Sequence, residues 1–182
     1  MTLFSERLVV AGVELDLLRP ESPESLIDEE AFAHDEFLPY WAELWPAATA
    51  LAEALPDVRG LRVVELGCGL GVTSLVAAAK GAHVTASDWS AEAVELLREN
   101  AERNGVALRA EVRDWREPWP ERFDLALAAD VLYEQRNVEP LLERLREVAP
   151  IALVGLAGRP YEAEFLRRAG DVETVAERVV RL

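Results

Sequence analysis

From about residue 60 onward, short apolar runs alternate with stretches in which apolar positions recur every three or four residues. "LRVVELG" (61–67) is β-branched and ends at glycine, the pattern of a buried strand. "GVTSLVAAAKG" follows as a helix closed by Gly81, and "AHVTASD" (82–88) is the next strand. In "SAEAVELLRENAERNG", Val94, Leu97 and Ala101 share a helical face, with Ser90 as cap and Gly105 as stop. "VALRAEVRD" (106–114) is a third strand and "FDLALAADVLYE" (123–134) a fourth, apolar enough to be central. "VEPLLERLREVAP" is a helix ending before Pro150, and "IALVGLAG" (151–158) is a fifth strand. "YEAEFLRRAG" is again helical, and "DVETVAERVVRL" is a last strand or a tight pair. Such alternation with short connections predicts an α/β fold, a doubly wound and mostly parallel Rossmann-like sheet with helices on both faces.

The first 60 residues follow another pattern. "ERLVVAGVELDLLRP" reads as a hairpin around Ala11-Gly12, and "SPESLIDEEAF" as a helix capped by Ser22 with Pro23 at its first position. "LPYWAELWPAATALAEALP" reads as a helix running to Leu55, with aromatics crowding its front. Trp41 and Trp45, four apart, would share a face of it as a core stripe, or Tyr40 and Trp41 would form a lid. No repeat or linker divides the chain. The expectation is one domain over 1–182, with an N-terminal extension over 1–58 and the core over 59–182.

Composition narrows the function. Half of the 182 residues are apolar, which argues against disorder. No stretch approaches a membrane span of about 18 apolar residues, and the N-terminus lacks the pattern of a signal peptide; a cytoplasmic protein with no membrane partner is expected. Cys68 is the only cysteine, and His34 and His83 are the only histidines, so neither a disulfide nor a metal site is expected. The net charge of −15 argues against nucleic acid and favours a cationic partner such as a basic, lysine-bearing protein. Solvated acidic faces that keep the chain soluble explain the same number equally well.

The densest chemistry lies in "VVELGCGLGV" (63–72). A dinucleotide fingerprint, G-x-G-x-x-G, would need glycine at position 72, where Val72 stands. A phosphate loop would need Gly-Lys-Ser/Thr, and Val72-Thr73-Ser74 has no lysine. What remains is E-x-G-x-G-x-G, with Glu65 closing the strand. Asp88 closes the next strand in "TASDWS", and Asp114-Trp115 closes the third in "VRDWRE". Two acids at successive strand ends put hydrogen-bond acceptors on one sheet edge, with an indole beside the second. Capping and turn formation are the alternatives for each acid taken alone.

The glycine loop resembles the first motif of class I S-adenosylmethionine-dependent methyltransferases. "PYWAELWPAATALAEAL" and "ADVLYE" further resemble the family 16 protein-lysine methyltransferases, over about residues 35–160. The resemblance implies the class I methyltransferase fold and S-adenosyl-L-methionine as cofactor. It implies cofactor contacts from Trp45, Glu65, Gly67, Cys68, Gly69, Gly71, Asp88, Trp89, Asp114, Trp115 and Ala129. Asp130 and Tyr133 would then line the acceptor pocket, Asp130 attracting an incoming lysine ammonium and Tyr133 hydrogen-bonding it. A small-molecule N- or O-methyltransferase, or a cofactor-binding protein without turnover, remain open on these residues. The family's closing antiparallel strand would be absent, very short, or made by splitting "VETVAERVVRL", with the hairpin or a second subunit covering the sheet edge.

Overall fold

The computed structural model describes residues 2–22 and 39–182. The helix expected from Ser22 onward, and His34, lie outside the described residues. β1 (Leu3–Val10) and β2 (Val13–Pro20) form an antiparallel hairpin. Its two-residue turn places both Ala11 (φ 52°) and Gly12 (φ 77°) in the left-handed region, the geometry whose twist matches paired strands.

A seven-stranded sheet forms the centre, built from β3 (Arg62–Leu66), β4 (His83–Asp88), β5 (Arg109–Val112), β6 (Leu125–Ala129), β7 (Ala152–Gly155), β8 (Glu173–Ala176) and β9 (Val179–Arg181). The order is β5-β4-β3-β6-β7-β9-β8, with the first five strands parallel and β9 antiparallel to both its neighbours. "VETVAERVVRL" therefore splits in two, and its second half is the closing strand. The hairpin does not cover a sheet edge. It lies on α3 (Ala91–Arg103), where Asn100 and Asn104 replace a neighbouring strand. Asn100 accepts from Leu18 N at 2.7 Å and donates to Leu18 O at 2.9 Å, and Asn104 does the same for Asp16.

Successive strand residues face opposite helical layers. Val63, Leu125 and Leu127 pack with α1 (Pro46–Glu53), α2 (Val72–Ala79) and α3, whereas Val64, Ala126 and Ala128 pack with α4 (Val138–Val148) and α5 (Glu162–Ala169). The aromatic segment before the core is not one helix. Tyr40–Ala42 is a 3-10 turn, Trp45 is extended, and α1 starts at Pro46. Proline fits a first helical position but excludes helical backbone from the residue before it, so Trp41 and Trp45 part company. α1 is set close to the sheet at Gly155, where a Cβ would meet the Ala47 carbonyl oxygen at 2.7 Å. That approach carries Trp45 to the C-terminal ends of the strands.

Candidate active site

In a parallel sheet the ligand crevice lies beyond the C-terminal strand ends, where the strand order reverses. Here that point lies between β3 and β6, and a cleft of about 670 Å³, including its open mouth, is found there. Its lining includes Trp45, Glu65, Gly67, Cys68, Gly69, Gly71, Asp88, Trp89, Trp115, Ala129, Asp130 and Tyr133. Twelve of the thirteen site residues expected from sequence thus come together. Asp114 does not: it is absent from the lining, and its carboxylate is held by Arg116, with Nε at 2.8 Å from Oδ2.

The loop after β3 is a cradle that side chains would fill. Gly67 has φ +71°, and a Cβ there would lie 2.8 Å from both Trp115 Cζ3 and Val131 Cγ1. The Trp41 carbonyl crosses above Gly69, so the 3-10 turn forms a roof over the loop. Gly71 precedes α2 and has no side chain to cap it; Glu65 takes the Ser74 amide, which leaves the amides of Val72 and Thr73 for a polar ligand. The buried indole of Trp115 forms the floor.

The cleft's acids are held in different ways. Glu65 is fully enclosed and its Oε2 accepts from Ser74 N at 3.0 Å and from the Ser74 hydroxyl. Burial outweighs those bonds and pushes its pKa up to about 7. Asp88 Oδ2 accepts from Gly69 N at 2.9 Å and Oδ1 from Ser90 N at 3.0 Å. Burial raises its pKa as well, and each oxygen keeps a lone pair for a ligand hydroxyl. Cys68 is driven well above the usual thiol range, first by burial and then by Asp88 and Glu65, which leaves it an uncharged packing group.

Asp130 stands at the end of β6 in a left-handed conformation, φ 52°, with a side chain 1% exposed. Sequence reasoning left this carboxylate free to meet an ammonium. In the structure Arg159 takes both oxygens, Nε to Oδ1 at 2.6 Å and Nη2 to Oδ2 at 2.7 Å. The same guanidinium lies 5.0 Å from the Trp45 ring centroid. Arg159 was missed because it sits in the turn after β7, and only the fold brings it beside Asp130. Its one signal in sequence is an arginine following glycine at a strand's C-terminal end.

An aromatic wall closes the cleft. Tyr40 lies 4.8 Å from Tyr133 and 6.4 Å from Trp45 between ring centroids, and Trp45 Nε1 donates to Tyr40 O at 2.7 Å. Burial pushes the Tyr133 hydroxyl up to about 12, so it keeps its proton across the neutral range. Among the described residues, no cluster of metal-ligating side chains and no helix long and apolar enough to cross a membrane is present.

Comparison with known proteins agrees with this geometry. A family model for lysine methyltransferases, family 16, matches residues 40–164. The mouse EEF1A lysine methyltransferase 3 is 32% identical over 149 residues, covering 76% of this chain and 62% of that protein. The Xenopus laevis electron transfer flavoprotein beta subunit lysine methyltransferase is 35% identical over 136 residues, covering 70% and 54%. The chain thus spans between half and two thirds of the length of these relatives. Among solved structures, the T. thermophilus 16S rRNA methyltransferase RsmC, in complex with AdoMet and guanosine, superposes with a TM-score of 0.73 at 19% identity. That match covers 100% of this chain and 50% of RsmC, and it speaks to the fold alone. The fold is that of a Rossmann-like class I methyltransferase. The chain belongs to the family 16 lysine methyltransferases.

Proposed function

We propose that the chain is an S-adenosylmethionine-dependent methyltransferase whose acceptor is a lysine side chain of another protein. The observation that carries this reading is the meeting of the E-x-G-x-G-x-G loop, Asp88, Trp115 and the Asp130–Tyr133 segment in one cleft at the strand-order switch. The family membership and the relatives' names support the acceptor class.

The residues fit the cofactor chemically. The glycine-rich loop would take its amino-acid end, Asp88 its ribose hydroxyls, and Trp115, Ala129 and Trp45 its base and sulfonium regions. Bound there, S-adenosylmethionine would supply a methyl group already activated on a cationic sulfur. The chain's own task is to present a neutral amine in line with it, since an ammonium has no lone pair. A lysine amine has a reference pKa of about 10.4, so the aromatic wall of Tyr40, Trp45 and Tyr133 desolvates it and favours loss of its proton. Tyr133, still protonated, orients the amine through its hydroxyl and is not the base. Asp130, neutralised by Arg159, fixes the wall through Trp45, and solvent at the open mouth takes the proton. Positioning supplies most of the acceleration. We take the hairpin and the core, residues 1–182, to work as one domain in an aqueous compartment, with a protein partner and no nucleic acid.

Titration calorimetry tests the cofactor half of this reading. S-adenosylmethionine should bind the parent, and Asp88→Asn should weaken it about tenfold, the scale of a charge-assisted hydrogen bond. Binding of NAD in its place would overturn the assignment.

A further inference from the structure

Among the described residues, four carboxylates line the cleft: Glu43, Glu65, Asp88 and Asp130. Three are committed to the protein itself. Glu65 is bonded to Ser74, Asp88 to the amides of Gly69 and Ser90, and Asp130 to the guanidinium of Arg159. Glu43 is different. It lies in extended backbone between the 3-10 turn and α1, is exposed, and makes no hydrogen bond or ion pair among the described residues. No lysine or arginine is among the described residues that line the cleft with Glu43. Its neighbours in sequence and space are Tyr40 and Trp45, two members of the aromatic wall.

We propose that Glu43 is the cation receptor of the cleft, a specificity-determining residue that recognises a primary alkylammonium at the mouth. The proposal rests on the methyltransferase reading above and deepens it, because it moves the recognition of charge from Asp130 to Glu43. An ammonium at the mouth meets an exposed carboxylate with no cationic partner among the described residues, in a lining it shares with the Tyr40 ring, both attractive to a cation. At Asp130 it would first have to displace a two-point arginine pair, the strongest geometry available to a carboxylate. Two ammonium groups could use Glu43: that of the acceptor lysine, and that of the amino-acid end of S-adenosylmethionine.

The test compares the parent with Glu43→Gln, Glu43→Asp, Asp130→Asn and Glu177→Gln, the last removing the same charge in the β8–β9 turn. One arm measures S-adenosylmethionine affinity by calorimetry. The other follows labelled methyl transfer into lysate protein over a dilution series, separating half-saturation from maximal rate. An exposed rim charge is worth about 0.2–1 kcal/mol, so Glu43→Gln should weaken one arm up to about fivefold and flatten its salt dependence. Glu43→Asp should recover part of the loss, and Glu177→Gln should change neither arm. A shift in calorimetry assigns the cofactor's ammonium, and a shift in half-saturation with maximal rate kept assigns the acceptor's. Glu43→Gln behaving as the parent in both arms overturns the proposal, as does a half-saturation shift found only in Asp130→Asn. A parent that binds the cofactor but labels no protein defeats the lysine reading instead, and the calorimetric arm still judges Glu43.

Discussion

Position 67 has room for no side chain. A Cβ there would press on the Trp115 ring and on Val131, and the backbone φ of +71° would strain any L-residue. Gly67→Ala should cost about 2 kcal/mol of stability in urea denaturation and reduce S-adenosylmethionine affinity by about tenfold or more in calorimetry. Glu65 poses a different problem, because its carboxyl is held at about 7 against an ordinary 4.5. As pH rises, the unfolded chain gives up this proton first, so the native state binds more protons between those two values. Stability therefore falls through that window and is level below and above it. Glutamine keeps an acceptor for the Ser74 amide and removes the titration. Stability measured from about pH 4 to about pH 8 should move in favour of Glu65→Gln over the parent by about 3 kcal/mol. These demands are only half legible in sequence: the glycine spacing announces a close approach, but not that Trp115 and Val131 are what approach.

The elements divide in the same way. Strands β3, β4 and β6 are buried on both faces, so their apolar runs are plain, and each ends within one residue of its acid. The aromatic segment misleads because its apolar spacing is helical while Pro46 forbids helix at Trp45. The hairpin's seat is invisible in a linear reading, since Asn100 and Asn104 look like ordinary polar positions on α3. Both act as strand edges: Asn100, fully buried, satisfies the amide and carbonyl of Leu18 together. Asn100→Ala would leave two buried backbone groups without partners. Chemical denaturation should register a loss of about 2–4 kcal/mol, at 1–3 kcal/mol per orphaned group less what local rearrangement recovers. Arg159 illustrates the other limit. Twenty-nine residues separate it from Asp130, and the pair exists only because β6 and β7 are parallel neighbours ending at the same sheet edge.

At the scale of the molecule, the acidic balance and the site agree. A net charge of −15 surrounds a cleft whose described lining holds four carboxylates and no basic side chain. Asp130 is paired with Arg159 and Glu65 and Asp88 are buried, so Glu43 and the surrounding acidic surface are the charges an incoming group meets first at the mouth. The fold supplies the cleft, and family membership and the acidic surroundings support the proposed lysine acceptor. The measurement that bears most directly on this account is the fate of labelled methyl from S-adenosylmethionine in a fractionated lysate, with Gly67→Ala beside the parent. The account predicts label in a discrete protein band, recovered after hydrolysis as methyllysine and strongly reduced with Gly67→Ala at cofactor concentrations below saturation. Label recovered only in small molecules, or on a residue other than lysine, would contradict it.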